Sequence, residues 1–148
     1  MTKRPPSTVV SRLTAALSLP AGDHVCVGST LSYVRHDPYA VLVGFSVPGS
    51  ATDTVAVEWT FARELLTDGS QRATGDGDVK AWPSFTRTPR TMGLSLSSPG
   101  GLAVFHFPLA GVQDFLLQTY DVVPLGSESD FLDFDVELNA LMSGAGGD

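Results

Sequence analysis

The chain has 148 residues, a net charge of −7 and an apolar fraction of 43%. That length fits one domain with a real hydrophobic core. The acidic balance and the nine scattered basic residues argue against a nucleic-acid surface, which needs a basic face to displace counterions from phosphates.

Cys26 is the one cysteine, so no internal disulfide forms, as expected in a reducing cytoplasm. No apolar run approaches the ~18 residues of a membrane-spanning helix. The start, MTKRPPSTVV, has two basic residues but no apolar stretch behind them, unlike a signal peptide. The expectation is a cytoplasmic protein that meets membranes only through a partner. Charged residues make up 17% of the chain, below the usual ~25%, which hints at an oligomer. Beyond Arg90 there is no Lys or Arg.

Residues 1–7 read as a flexible arm closed by Pro5 and Pro6, residues 8–142 as one domain, and 143–148 as a flexible tail. From Val9 the pattern alternates, with Val9, Leu13, Ala15 and Leu17 on one side and Arg12 and Thr14 on the other, which predicts a half-buried strand. A turn at Leu19–Asp23 leads to a second strand carrying Val25, Val27, Leu31 and Tyr33, broken at Asp37-Pro38. AVLVGFSV, residues 40–47, is nearly continuous apolar sequence and predicts a strand covered on both faces. After Pro48-Gly49-Ser50, TVAVEWTF alternates again, with Val55, Val57, Trp59 and Phe61 on one face. ARELLTDG then predicts a short helix ended by Gly69.

TGDGD precedes a short strand, VKAWPS, whose Pro83 suits a sheet edge. MGLSLSS and GLAVFHF predict a hairpin with Met92, Leu94 and Leu96 inward and Pro99-Gly100 in the middle of a type II turn. Pro108 opens a helix with Leu109, Val112, Phe115, Leu116 and Tyr120 at helical spacing, ended by Pro124. SESD offers caps for a further helix with an apolar stripe of Phe134, Leu138, Leu141 and Met142. Strands followed by helices predict an α+β domain.

Chemistry is sparse. TGDGDVKAWP lacks the GK[ST] of a phosphate loop, the third glycine of a dinucleotide fingerprint, and the bidentate Glu of a calcium loop, where Arg87 stands instead. Asp76-Gly77 reads as a tight turn. His24 and Cys26 share a strand face, but two ligands do not make a zinc site. His106 reads as a structural histidine, His36 as solvent-facing, and Cys26 as a small buried residue. No GxSxG elbow is present. Glu58 and Glu64 are the best acid–base candidates, and for a strand carboxylate a solvated or salt-bridged role is the commoner one. No metal, cofactor or catalytic residue is assigned.

Five segments in order, DPYAV, VEWTFARELLTDG, GDGDVKAWPS, LSLSSPGG and FDVELNALM, resemble the SsgA-like proteins, sporulation-specific cell-division regulators of actinomycetes, and most closely the SsgB-like branch. The resemblance covers roughly residues 31–142. It implies a non-enzymatic role at division septa, helping to bring the tubulin-like GTPase FtsZ to the future septum and supporting its filaments, with FtsZ or another division protein such as its membrane tether as the partner. It implies a whirly-like fold of two antiparallel sheets forming a barrel-like domain with C-terminal helices, assembled as a homotrimer. The alternative is a whirly-type module that binds single-stranded nucleic acid, although the lysine-rich motif of those proteins is absent. Trp59, Arg63, Trp82 and Pro83 are the candidate partner-binding residues, because Trp and Arg are favoured at interface hot spots.

Overall fold

The computed structural model describes residues 8–19, 21–46, 55–75, 77–85 and 88–131. The arm at 1–7, the turn at Pro48-Gly49-Ser50, Asp76, the helix expected over 134–142 and the tail at 143–148 lie outside the described residues.

The strands are β1 (Thr8–Ser18), β2 (His24–Val34), β3 (Ala40–Ser46), β4 (Val55–Ala62), β5 (Val79–Ser84), β6 (Thr91–Ser98) and β7 (Gly101–Pro108). The helices are α1 (Arg63–Gly69) and α2 (Leu109–Val122), followed by a 3₁₀ turn at Glu128–Phe131. All neighbouring strands run antiparallel in the order β4-β3-β2-β1-β7-β6-β5. The expected α+β architecture is present. Where the resemblance implied two sheets there is one of seven strands, because β1 pairs with both β2 and β7.

The sheet is strongly curled. β3 and β7 are three places apart, or about 14 Å in a flat sheet at 4.7–4.9 Å per strand. Yet Phe45 and Phe105 stack with ring centroids 4.2 Å apart. The inner face therefore closes on itself as a half-barrel. Alternation decides which side chains enter it: Val9, Ala15, Val27, Leu31, Tyr33, Phe61, Met92, Leu94 and Leu96 are buried there.

The two helices occupy this concavity. α2 lies on β1, β6 and β7 and buries Leu109, Val112, Phe115 and Leu116. Its Gly111 packs so closely on Leu13 that an added Cβ would sit 2.6 Å from Leu13 Cδ2. α1 touches both β4 and β5, the two edges of the sheet, and so closes the gap between them. This protects edges that would otherwise present unpaired backbone groups.

Within the TGDGD stretch the described residues Gly77 and Asp78 form a turn that leads into β5, and the Asp76 half of the expected Asp76-Gly77 turn lies outside the described residues. Gly75 and Gly77 take φ values of 111° and 79°. Thr74 and Ala81 exchange backbone hydrogen bonds of 2.7 and 2.8 Å. An added Cβ at Gly75 would lie 2.4 Å from the Val79 carbonyl oxygen, so both the dihedral and the space require glycine there.

Three expectations are corrected. β3 is not covered along both faces: Val41, Val43 and Phe45 are buried inward, while on the convex side Gly44 is buried but Leu42 is exposed. The Pro99-Gly100 turn is not type II, since the positive φ falls at Gly101, at 138°, and a type II turn needs it at the third residue. Cys26 is exposed, because β2 turns Val25 and Val27 inward and the alternate positions outward.

Gly69→Ala tests the α1–β5 contact. Its Cβ would meet that of Ala81 at 2.4 Å. Helix propensity gains roughly 1 kcal/mol from the change, but overpacking costs up to ~3, so a net loss of about 2 kcal/mol is expected. A urea midpoint equal to or above that of the wild type would show that α1 is free to move off β5.

Candidate partner-binding surface

α1 begins directly where β4 ends, and that junction buries Arg63 at 2% exposure. Its Nη1 donates to the carbonyl oxygens of Thr119 at 3.2 Å and Val123 at 2.8 Å. Its Nη2 donates to Glu128 Oε2 at 3.0 Å. The guanidinium lies over the Tyr120 ring at 4.2 Å and the Tyr33 ring at 5.0 Å. α2 has no basic residue in its own last turn, so Arg63 supplies the positive charge that its carbonyl end favours.

The neighbours feel this charge. Burial raises the Tyr33 hydroxyl to about 12, and the attraction of Arg63 offsets only part of that rise. The hydroxyl is neutral and donates to the Pro38 carbonyl at 2.9 Å. At Glu128 burial acts to raise the pKa, but hydrogen bonds from its own and the Gly126 backbone, and from Arg63, win and hold the carboxyl below its ordinary value of 4.5. Tyr120 closes the cluster by a hydroxyl–hydroxyl contact with Thr67.

The four sequence-derived candidates are not gathered on one face. Arg63 is inside. Trp59 is half-buried on the inner face, stacked on Phe61 at 6.4 Å. It lines a cleft of about 490 Å³ together with Phe45 and Phe105. Trp82 and Pro83 lie on β5, at the opposite edge of the sheet from β4. Pro83 is paired with Met92 and half-buried. Trp82 lies on the convex face, flat against Gly93, where an added Cβ would come within 2.3 Å of the indole.

From Trp82 a row of paired positions crosses the convex face through Gly93, His106 and Ala16 to Cys26. His106 packs T-shaped against Trp82, ring centroids 6.5 Å apart, and against His24, centroids 5.8 Å apart. Sequence reasoning saw His24 and Cys26 on one face but missed that His106 joins them. Glu58, Glu64 and His36 are exposed. Among the described residues no group of three or more His, Cys, Asp or Glu is placed to hold a metal ion, and no helix is long and apolar enough to cross a membrane.

Comparison with known proteins gives this geometry its context. The family described as Streptomyces sporulation and cell division protein, SsgA, matches residues 27–128. The chain belongs to the SsgA-like family. Within that family it falls in the SsgB branch. It is 47% identical over 137 residues to the sporulation-specific cell division protein SsgB of Frankia casuarinae, covering 93% of each chain. The crystal structure of an SsgA-like sporulation-specific cell division protein from Thermobifida fusca matches with a TM-score of 0.80 at 40% identity, covering 94% of this chain and 98% of that one. The structure of SsgB from Streptomyces coelicolor matches with a TM-score of 0.77 at 36% identity, covering 88% of this chain and 100% of that one. Mutations in that protein correlate with longitudinal cell division during sporulation. A role in sporulation-specific cell division follows for this SsgA-like chain.

Two outcomes test the Arg63 cluster of this SsgA-like fold. Lysine presents a point charge in place of a planar fork, so Arg63→Lys leaves carbonyls and carboxylate unequally served. A loss of about 3 kcal/mol is expected by chemical denaturation, and unchanged stability would refute the role given to the fork. The second outcome concerns acid. The depressed carboxyl of Glu128 takes up its proton later in the folded state than in the unfolded state. Its contribution is therefore complete above 4.5 and fades as pH falls through the folded-state value. The gap in unfolding midpoint between wild type and Glu128→Gln should be widest near neutrality and shrink below pH 4.5. A gap independent of pH would contradict the ion pair.

Proposed function

We propose that this SsgA-like protein is a non-enzymatic adaptor of sporulation septation, a cytoplasmic homotrimer that helps recruit or stabilise FtsZ at septum sites. The observation that carries this reading is the placement of nearly the whole chain in the SsgB branch. The chemistry of the site supports it. The ionic cluster around Arg63 is spent on joining α1, α2 and the 3₁₀ turn. The convex face instead offers an aromatic row of Trp82, His106 and His24. Trp82 is the leading contact residue, with Pro83 beside it, because tryptophan is enriched at interface hot spots. The net charge of −7 counts against the alternative of a single-stranded nucleic-acid binder, whose affinity rests on phosphate neutralisation.

The test is co-sedimentation of the purified chain with FtsZ assembled in GTP, beside a sample without nucleotide. The chain should pellet only with polymers, and Trp82→Ala should weaken binding about tenfold, equivalent to ~1.4 kcal/mol, with its circular dichroism unchanged. A chain that stays in the supernatant across a range of salt would rule out direct binding to FtsZ.

A further inference from the structure

Where β1, β2 and β3 run side by side, the convex face carries a polar hollow of about 360 Å³. Arg12 and Thr14 stand on the same face of β1 as Ala16, four and two positions before it. β2 sets Thr30 opposite Arg12 and Gly28 opposite Thr14. Ser46 of β3 lies beyond Gly28, where an added Cβ would come 3.5 Å from the Ser46 Oγ. All five residues line the hollow, and no described carboxylate does. Two ion pairs form among the described residues, Arg63 with Glu128 and Arg72 with Asp68, and Arg12 is in neither. Among the described residues the hydroxyls of Thr14, Thr30 and Ser46 make no hydrogen bond, whereas the hydroxyl of Ser29 donates to the Leu13 carbonyl at 2.6 Å.

Two further observations point to an anion. The chain's charge of −7 is not carried by the sheet: the seven described strands hold one acid, Glu58, against Arg12 and Lys80. Glu58 stands three strands from Arg12 in the row Arg12, Thr30, Gly44, Glu58, or about 14 Å. The second observation is Gly28. It is not among the described glycines with positive φ, and a Cβ there would meet only Ser46, at ordinary van der Waals distance. Neither the backbone nor the packing asks for glycine, and glycine weakens a strand. Its missing side chain opens the floor of the hollow, as happens where a ligand approaches a strand closely.

We propose that this hollow binds the phosphate group of a phosphomonoester, with Arg12 as the charged fork, Thr14, Thr30 and Ser46 as hydroxyl donors, and Gly28 as the floor. A guanidinium presents parallel N–H donors to two oxygens of an anion. A carboxylate has no oxygen beyond those two. Three hydroxyls from three strands suit an anion with a further terminal oxygen, and a phosphomonoester has three, with a charge of about −1.5 to −2 at neutral pH. The diester of a nucleic-acid backbone has two terminal oxygens and a single charge, and it fits less well.

This inference goes beyond the division role and is tested without FtsZ, so the two fail separately. The full-length chain, labelled with nitrogen-15, is titrated by NMR near neutral pH and at constant ionic strength with inorganic phosphate, O-phosphoserine, acetate and oligothymidylate. Phosphate and phosphoserine should give saturable shifts at the amides of Thr14, Gly28 and Thr30. Tighter binding of phosphoserine assigns the group to a phosphorylated side chain, and tighter binding of inorganic phosphate assigns it to a free ion; either supports the site. Arg12→Gln should weaken binding about tenfold and the isosteric Thr30→Val about threefold. Gly28→Ala separates a ligand role from a structural one, since it should abolish binding while the urea midpoint holds or rises. No saturable shift, acetate or oligothymidylate binding as tightly as phosphate, or a lowered midpoint for Gly28→Ala would each overturn the proposal.

Discussion

A buried guanidinium must have its donors met, and the solution found for Arg63 organises everything around it. The side chain sits where β4 becomes α1, so its place along the chain is set by the sheet. Its partners come from α2, from the residue after that helix, and from the 3₁₀ turn. Tyr33 of β2 and Tyr120 of α2 supply ring faces. One cation therefore ties five segments together, and it does so where α2 has no positive charge of its own. Burying a charge is costly unless it is paired and hydrogen-bonded. Among the described residues no buried side-chain nitrogen or oxygen lacks a partner. Any packing of α2 that moved its last turn would strand this charge, so the cluster fixes both the position and the rotation of the helix.

Curling the sheet around those helices has a second effect. It separates the aromatic residues into an inner set, Phe45, Trp59, Phe61, Phe105 and Phe107, and an outer set, Trp82 with His106 and His24. The inner set builds the core and the cleft. The outer set is left on a convex surface of small residues, and Gly93 lets the indole of Trp82 lie flat on it.

Much of the fold was legible because period-two alternation and turn residues act locally. β1, β2, β4 and the β6–β7 hairpin follow directly from the spacing of Val9, Val27, Phe61, Leu94 and their neighbours, and α2 from Leu109, Val112, Phe115 and Leu116. The edge position of β5 was signalled by Pro83. What escaped was long-range. Glu128 is 65 residues from Arg63, and no local pattern links them. The nearest signal was the lack of any cation beyond Arg90, which left the carbonyl end of α2 in need of one from elsewhere. The face of Trp59 followed from the phase of its strand, whereas that of Trp82 was not read from the short run VKAWPS. Their separation to opposite edges depended on strand order, which periodicity does not encode. The apolar run of β3 misled for a related reason: composition does not distinguish a covered outer face from a bare one.

The sheet is not equally joined throughout. β1 and β2 share eleven residue pairs, whereas β1 and β7 share two, Ala16 with His106 and Leu17 with Phe105. The sheet is thus two leaves, one of four strands and one of three, joined along a narrow spine. Phe45 and Phe105 stack across the leaves on the concave side, and the imidazoles of His24 and His106 pack T-shaped across the same spine on the convex side. A ring pair thus spans the same narrow joint on each of its faces, while α2, on β1, β6 and β7, and α1, on β4 and β5, cross between the leaves from within.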